Sequence, residues 1–137
     1  MFTRPTTEPV LRGLVDDLSR TIAPELTSET AKVALGMIVQ LLQGCAVRSA
    51  HEIAWMHDEI AAIEAEVGTV AAAHGDSLHL EDVIVRYHAA SEVLAEAVEA
   101  GYAAGDEARV DRLRALLEAR SGNEMRIVGA LDLVGRG

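Results

Sequence analysis

No proline follows Pro24 in this chain of 137 residues. Proline lacks the backbone donor a helix interior needs and clashes with the preceding turn, so a long stretch without it is permissive for helix. From Thr27 to Ala73 only Gly36, Gly44 and Gly68 weaken that stretch. Aromatic residues make up only 3% of the chain, and no block of alternating valine, threonine and aromatic side chains suggests a strand. The core must come from Leu, Val, Ile and the many alanines, which favour helix and let helix axes approach closely. These absences predict an all-α fold without β-sheet: an antiparallel four- to five-helix bundle, with residues 1–137 as one domain.

Cysteine is nearly absent too. Cys45 stands alone, which excludes an internal disulfide and suits a reducing cytoplasm. Met1–Pro9 lacks the apolar core of a signal peptide, and no later segment reaches about 18 uncharged apolar residues, so the expectation is a soluble cytoplasmic protein with no membrane partner. Lysine is represented by Lys32 alone and the net charge is −10. Asp58–Glu107 holds twelve acidic residues against Arg86, while Ala108–Gly137 holds six arginines against four acids. An acidic chain without a basic face speaks against nucleic acid, whose phosphates demand one. The acidic middle reads as a solvated helix surface.

Apolar residues at three-four spacing set out the helices. The first is predicted to start near Thr7, as a capping residue, with Pro9 in its first turn and Val10, Leu11, Leu14, Val15, Leu18 and Ile22 as its buried stripe. Pro24 ends it. Thr27 or Ser28 caps the next, whose seam is Ala31, Leu35, Ile38, Leu42 and Cys45, continued by Ile53, Met56, Ile60, Ile63, Val67 and Val70. Between these halves the pattern falters at Arg48–Glu52, where Ser49 and Glu52 have the spacing of a capping box. His74–Ser77 is a turn, followed by a seam of Leu80, Ile84, Tyr87, Ser91, Leu94 and Val98. Gly101 and Gly105 punctuate the chain before a last helix opening near Asp106, with Val110, Leu113, Leu117, Ile127, Leu131 and Val134 in register and a polar notch at Arg120–Glu124.

The long segment leaves two architectures open. Unbroken, its first half has too few intramolecular partners, and Leu35, Ile38 and Leu42 become candidates for a subunit interface; Trp55, opposite the seam of Ile53, Met56 and Ile60, is a separate interface candidate. Broken at Ser49–His51, the chain closes on itself as five helices. A homodimer, or a further protein partner, is the expected assembly.

Metal and covalent chemistry find little to use. His51 and His57 are six residues apart, about 240° around a helix, and no His-x-x-x-His or Glu-x-x-His occurs, so no metal or cofactor is expected. Asp76, His79, Glu81 and Asp82 gather at a turn, where carboxylates more commonly cap the following helix. Cys45, Ser49 and Ser91 lack a dyad or nucleophile elbow, and there is no glycine-rich phosphate loop, so no catalytic residue is assigned. Polar groups do lie in or beside the seams: Arg48, Ser49, Glu52, His57, Tyr87, His88 and Ser91, with Arg120 and Glu124. Converging in a bundle interior, Arg48, Glu52, His57, Tyr87, His88 and Ser91 would line a ligand pocket for a small-molecule binder or enzyme. Arg48 with Glu52 and Arg120 with Glu124 also have the i,i+4 spacing of ordinary helix ion pairs. Counting levels places Ser91 near Ile60 and Arg120, but Arg48 and Glu52 near Tyr102. The primary expectation is a non-catalytic helical interaction or accessory protein.

Arg4-Pro5 before a capped helix, the Leu-rich Leu35–Leu42 leading to Ala46-Val47-Arg48, and Asp58-Glu59-Ile60 resemble a family of small bacterial helical proteins of unknown function. Members are often encoded beside aminoglycoside-phosphotransferase-like proteins and acyl-CoA dehydrogenases. The likeness covers about the first half of the chain and none of its motifs is catalytic. It implies an accessory role near an acyl-CoA or phosphotransferase pathway. The chain departs from the pattern in having no proline or other breaker after Arg48.

Overall fold

A computed structural model describes residues 4–70 and 75–128. Its described residues form four α-helices and no strand: α1 (Thr7–Asp17), α2 (Glu29–Val67), α3 (Leu80–Ala104) and α4 (Glu107–Val128). The chain divides into two compact units, Met1–Glu52 with Glu124–Gly137, and Ile53–Asn123.

The first unit opens with α1, whose N-cap is Thr6 without a side-chain cap bond, rather than the Thr7 hydroxyl. Its last turn widens into a π-helical turn, Leu18–Ile22, then tightens into a 3-10 turn, Ala23–Glu25. Pro24 sits in that tight turn and Leu26 leaves helical geometry, so the helix stops where proline removes its next donor. Ser28 then caps α2, its Oγ accepting from the Ala31 N–H at 3.4 Å. The expected α1 stripe is not buried: Val10, Leu14 and Ile22 are exposed, and Leu11, Val15 and Leu18 are half-buried.

The long segment does not break. Through Ser49–Glu52 the helix is continuous, and the capping box does not form. Instead the Ser49 hydroxyl donates back to the Ala46 carbonyl at 2.9 Å, while Arg48 pairs with Glu52 one turn on. Both bonds are helix-compatible, so the polar interruption is absorbed into the surface of α2. The buried line of this half runs through Leu35 and Ala46, with Val39 and Leu42 half-buried; Ile38 and Cys45, expected on it, are exposed. Leu35 and Leu42 belong to both lines, and in a stretch apolar on most sides the three-four spacing fixes the buried direction only to within about 40°. A β-carbon added to Gly44 would lie 4.0 Å from the Ile127 carbonyl, so the end of α4 packs closely here. Among the described residues, α2 is the one helix long and apolar enough to cross a membrane, and only 11% of its most apolar stretch is buried.

The second unit holds the core: Ile60, Ile63, Val70, Ala90, Leu94, Ala97 and Leu113 pack together, with Val67, Tyr87 and Leu116 against them. Helix α2 ends where Gly68 adopts a left-handed φ of 93°, and the Glu64 carboxylate accepts from the Val70 N–H at 3.1 Å to hold the departing chain. His74 of the expected turn lies outside the described residues; Gly75 and Asp76 turn. Helix α3 ends on Gly105, also left-handed, with the Asp106 N–H bonded to the Gly101 carbonyl at 3.1 Å. Asp106 then caps α4 through the Arg109 N–H at 3.0 Å. Gly101 does not punctuate; it is buried inside α3 against Val110. The buried line of α3 is Val83, Arg86, Ala90, Leu94, Ala97 and Gly101; it keeps Leu94 from the expected seam, takes the neighbour one position earlier in place of Ile84, Tyr87, Ser91 and Val98, and leaves Leu80 exposed. Helix α4 runs unbroken through the polar notch, Val110 and Leu113 are buried, and Leu117 is exposed in favour of Leu116; Leu131 and Val134 lie outside the described residues.

Candidate functional site

Five side chains from three helices meet in the second unit. Helix α2 brings Glu59, beside the buried Ile60; α3 brings Tyr87 and Ser91, one turn apart; α4 brings Arg120 and Asn123. Glu59 Oε2 accepts from the Tyr87 hydroxyl at 2.8 Å and from Arg120 Nε at 3.1 Å, and its Oε1 accepts from Asn123 Nδ2 at 3.0 Å. Arg120 Nη2 donates to Ser91 Oγ at 2.7 Å, and the Ser91 hydroxyl donates in turn to the Tyr87 carbonyl at 2.6 Å. The guanidinium carbon of Arg120 stands 4.5 Å from the centre of the Tyr87 ring, within cation–π range.

The chemistry of this cluster is closed. Glu59 and Arg120 have side chains only 14% and 20% exposed, so each charge is largely removed from water and needs the other. Both carboxylate oxygens are engaged, which leaves Glu59 poorly placed to take a proton from a substrate. Ser91 has an arginine as its neighbour rather than a base, so nothing activates it as a nucleophile. Beside the cluster a cavity of about 340 Å³ is lined by Ser91, Leu94, Ala95, Val98, Leu117 and Arg120, among others. A second, of about 30 Å³, lies between Glu59, Ile63, Leu94, Leu116 and Arg120.

The expected pocket residues are distributed differently. Tyr87 and Ser91 are in the cluster, and the placement of Ser91 by Arg120 agrees with level counting. Arg120 binds Glu59 rather than forming the expected pair with Glu124. Arg48 and Glu52 belong to the first unit and are engaged with each other. His57 is half-buried, and the exposed His88 meets the Tyr87 ring edge to face, centroids 6.5 Å apart. Glu52, His57 and His88 line neither of these two cavities. Of the expected interface residues, Leu35 is buried within its own unit, Leu42 and Trp55 are half-buried, and Ile38 is exposed. Glu59 and Asn123 were missed; the signal available was their spacing, Glu59 beside Ile60 and Asn123 one turn after Arg120.

Two further cavities have simpler surroundings. One of about 200 Å³ lies between Ser19, Ala23, Lys32, Leu35, Gly36 and Val39 in the first unit. The other, about 370 Å³, opens at the α3–α4 turn beside Tyr102, Asp111 and Arg114. There a hydrogen bond with Tyr102, reinforced by the charge of Asp111, raises the Arg114 guanidinium above its ordinary range, which leaves it cationic as before. Among the described residues, no group of His, Cys, Asp and Glu is arranged to hold a metal ion. Compared with protein families, with curated proteins and with solved structures, the chain matches none.

Proposed function

We propose that the chain is a non-catalytic helical interaction protein, an antiparallel bundle that works as a homodimer through the outer face of the first half of α2. The observation that carries this reading is a row of large apolar side chains in water. Val33, Met37 and Leu41 are 65%, 62% and 63% exposed, one helical turn apart, with the exposed Ile38 beside them. Val33–Val47 contains no charged residue in a chain of net charge −10, so it is the stretch on which another acidic surface can settle without repulsion. Contiguous apolar surface of this kind on a soluble protein marks an interaction site. Burying three such side chains on each of two copies contributes about 6–12 kcal/mol. Association costs about 4–15 kcal/mol, so the dimer is expected to be weak and concentration-dependent.

The closed polar cluster supports the non-catalytic half of the reading, since its charges are consumed in joining three helices. Membrane insertion fits less well. The charge-free stretch between Lys32 and Arg48 rises about 22 Å at 1.5 Å per residue, short of a hydrocarbon core of about 30 Å.

Sedimentation velocity over a concentration series tests the proposal. A monomer–dimer equilibrium is expected, and Met37→Glu should shift it to monomer while leaving helicity intact. A wild-type chain that stays monomeric throughout, or one that co-sediments with phosphatidylcholine–phosphatidylglycerol vesicles through Met37, would remove it.

A further inference from the structure

The polar cluster uses only part of Arg120. Its Nε donates to Glu59 and its Nη2 to Ser91, while the guanidinium lies against the Tyr87 ring. Nη1 makes no hydrogen bond among the described residues and still reaches solvent, since the one buried side-chain donor without a partner there is Nη1 of Arg86. Arg120 also lines the cavity of about 340 Å³ beside the cluster. We infer that this cavity is a binding site for a small neutral molecule with an apolar body and one hydrogen-bond acceptor, an ester or ketone in class, whose oxygen accepts from Arg120. The site lies within the second unit and does not depend on self-association through α2.

The lining suits such a molecule. Leu94, Ala95 and Val98 of α3 and Leu117 of α4 supply the apolar wall. Ala95 is exposed and short, so the space stays open where a longer side chain would fill it. Ser91 and Arg120 stand at one end and Glu99 at the other, about 12 Å away along α3 at 1.5 Å per residue. An apolar wall with a few convergent polar groups at one end, in a volume of about 340 Å³, is the make-up of a small-ligand site.

Charge decides the head group. The Arg120 cation is already balanced by Glu59 at 3.1 Å, so an arriving carboxylate finds donors but no net positive charge, and leaves water uncompensated. Glu99 and the net charge of −10 add repulsion. A cationic head meets the guanidinium itself. A neutral acceptor meets neither penalty and gains a charge-assisted hydrogen bond. Glu59, Ser91 and Tyr87 hold the guanidinium in place, so a ligand does not have to order it. The cluster thus positions a donor as well as joining helices.

Butyl acetate and hexanoate have the same carbon and oxygen atoms and differ in charge, which makes them the probes. Titrated into the full chain at neutral pH and followed by amide NMR, butyl acetate should move the Ser91, Ala95 and Val98 resonances saturably. Its dissociation constant should be about millimolar, as a ligand of this size allows. Hexanoate should bind at least about tenfold more weakly. Ala95→Phe fills the cavity from an exposed helix position and should abolish the shifts with helicity unchanged in circular dichroism. Arg120→Lys keeps a cation for Glu59 but lacks the fork that serves Glu59, Ser91 and a ligand together, and should weaken butyl acetate about fivefold or more. The inference is overturned by the absence of a saturable shift, by shifts that survive Ala95→Phe, by hexanoate binding as tightly as butyl acetate, or by an unchanged affinity in folded Arg120→Lys. Should Arg120→Lys unfold, Ala95→Phe and the comparison of the two probes decide.

Discussion

A β-carbon placed on Gly101 would stand 3.0 Å from Cγ2 of Val110, with both residues buried. This is where α3 and α4 approach most closely among the glycine positions described, one turn before the left-handed Gly105 reverses the chain. Val110 is β-branched and held in one helical rotamer, so it has little freedom to yield.

Gly101→Ala should therefore destabilise the protein even though alanine is the better helix former. The propensity gain is about 1 kcal/mol, and overpacking a rigid contact costs about 1–3 kcal/mol. A net loss of about 1 kcal/mol is expected from urea denaturation. Val110→Ala relieves the contact, so a double-mutant cycle should show a favourable coupling between the two changes. Additive behaviour would mean the helices do not approach at this point.

The five-residue cluster yields a second prediction. Arg120→Ala leaves Glu59 without its counter-charge while Tyr87 and Asn123 still hold it in place, and should cost about 2–4 kcal/mol of stability. Glu59→Gln keeps an acceptor for the Tyr87 hydroxyl and removes the charge, and should cost less than Arg120→Ala. Chemical denaturation of both variants checks the order. Equal and small effects would show that the cluster is a surface arrangement rather than a joint between helices.

How much of this was legible in the sequence differs by level. The helices were, because apolar residues at three-four spacing have few other stable solutions. Their buried directions were less so. Ile38 and Cys45 read as core and are exposed, since α2 is apolar on most of its circumference and the spacing alone cannot choose among adjacent faces. Arg86 was invisible for the opposite reason: a guanidinium reads as surface, yet it occupies the line of Val83, Ala90 and Leu94. In the polar cluster, Ser91 and Arg120 were brought together by counting turns. Glu59 stayed hidden among the other acids of α2, because burial of one carboxylate among many leaves no mark on composition.

The continuity of α2 at Ser49–Glu52 gives a prediction in which two architectures part ways. In an unbroken helix Ala50 is an interior position, and Ala50→Pro removes one backbone bond and drives the ring against the carbonyl of Ala46, a buried residue. The cost is about 3 kcal/mol or more, with a loss of helicity in circular dichroism. Were Ser49 the cap of a separate helix, position 50 would be its first turn, where proline is well tolerated. A stable, fully helical Ala50→Pro protein would therefore mean that the chain breaks there.

Arg86 supports the last prediction. It is 9% exposed, sits between Val83 and Ala90 on the buried line of α3, and its Nη1 has no hydrogen-bond partner among the described residues. A buried donor without an acceptor costs about 1–3 kcal/mol, more when it belongs to a charged group. Methionine has a comparable reach, an apolar tip and enough flexibility to fill the same space. Arg86→Met should accordingly raise stability by about 1–3 kcal/mol, seen as a higher urea midpoint with an unchanged slope. Arg86→Ala is the poorer test, because the void it leaves offsets the relief of the unmet donor. If Arg86→Met instead lowers the midpoint, the guanidinium gains more from its surroundings than its burial costs, and its role is to hold α3 in place.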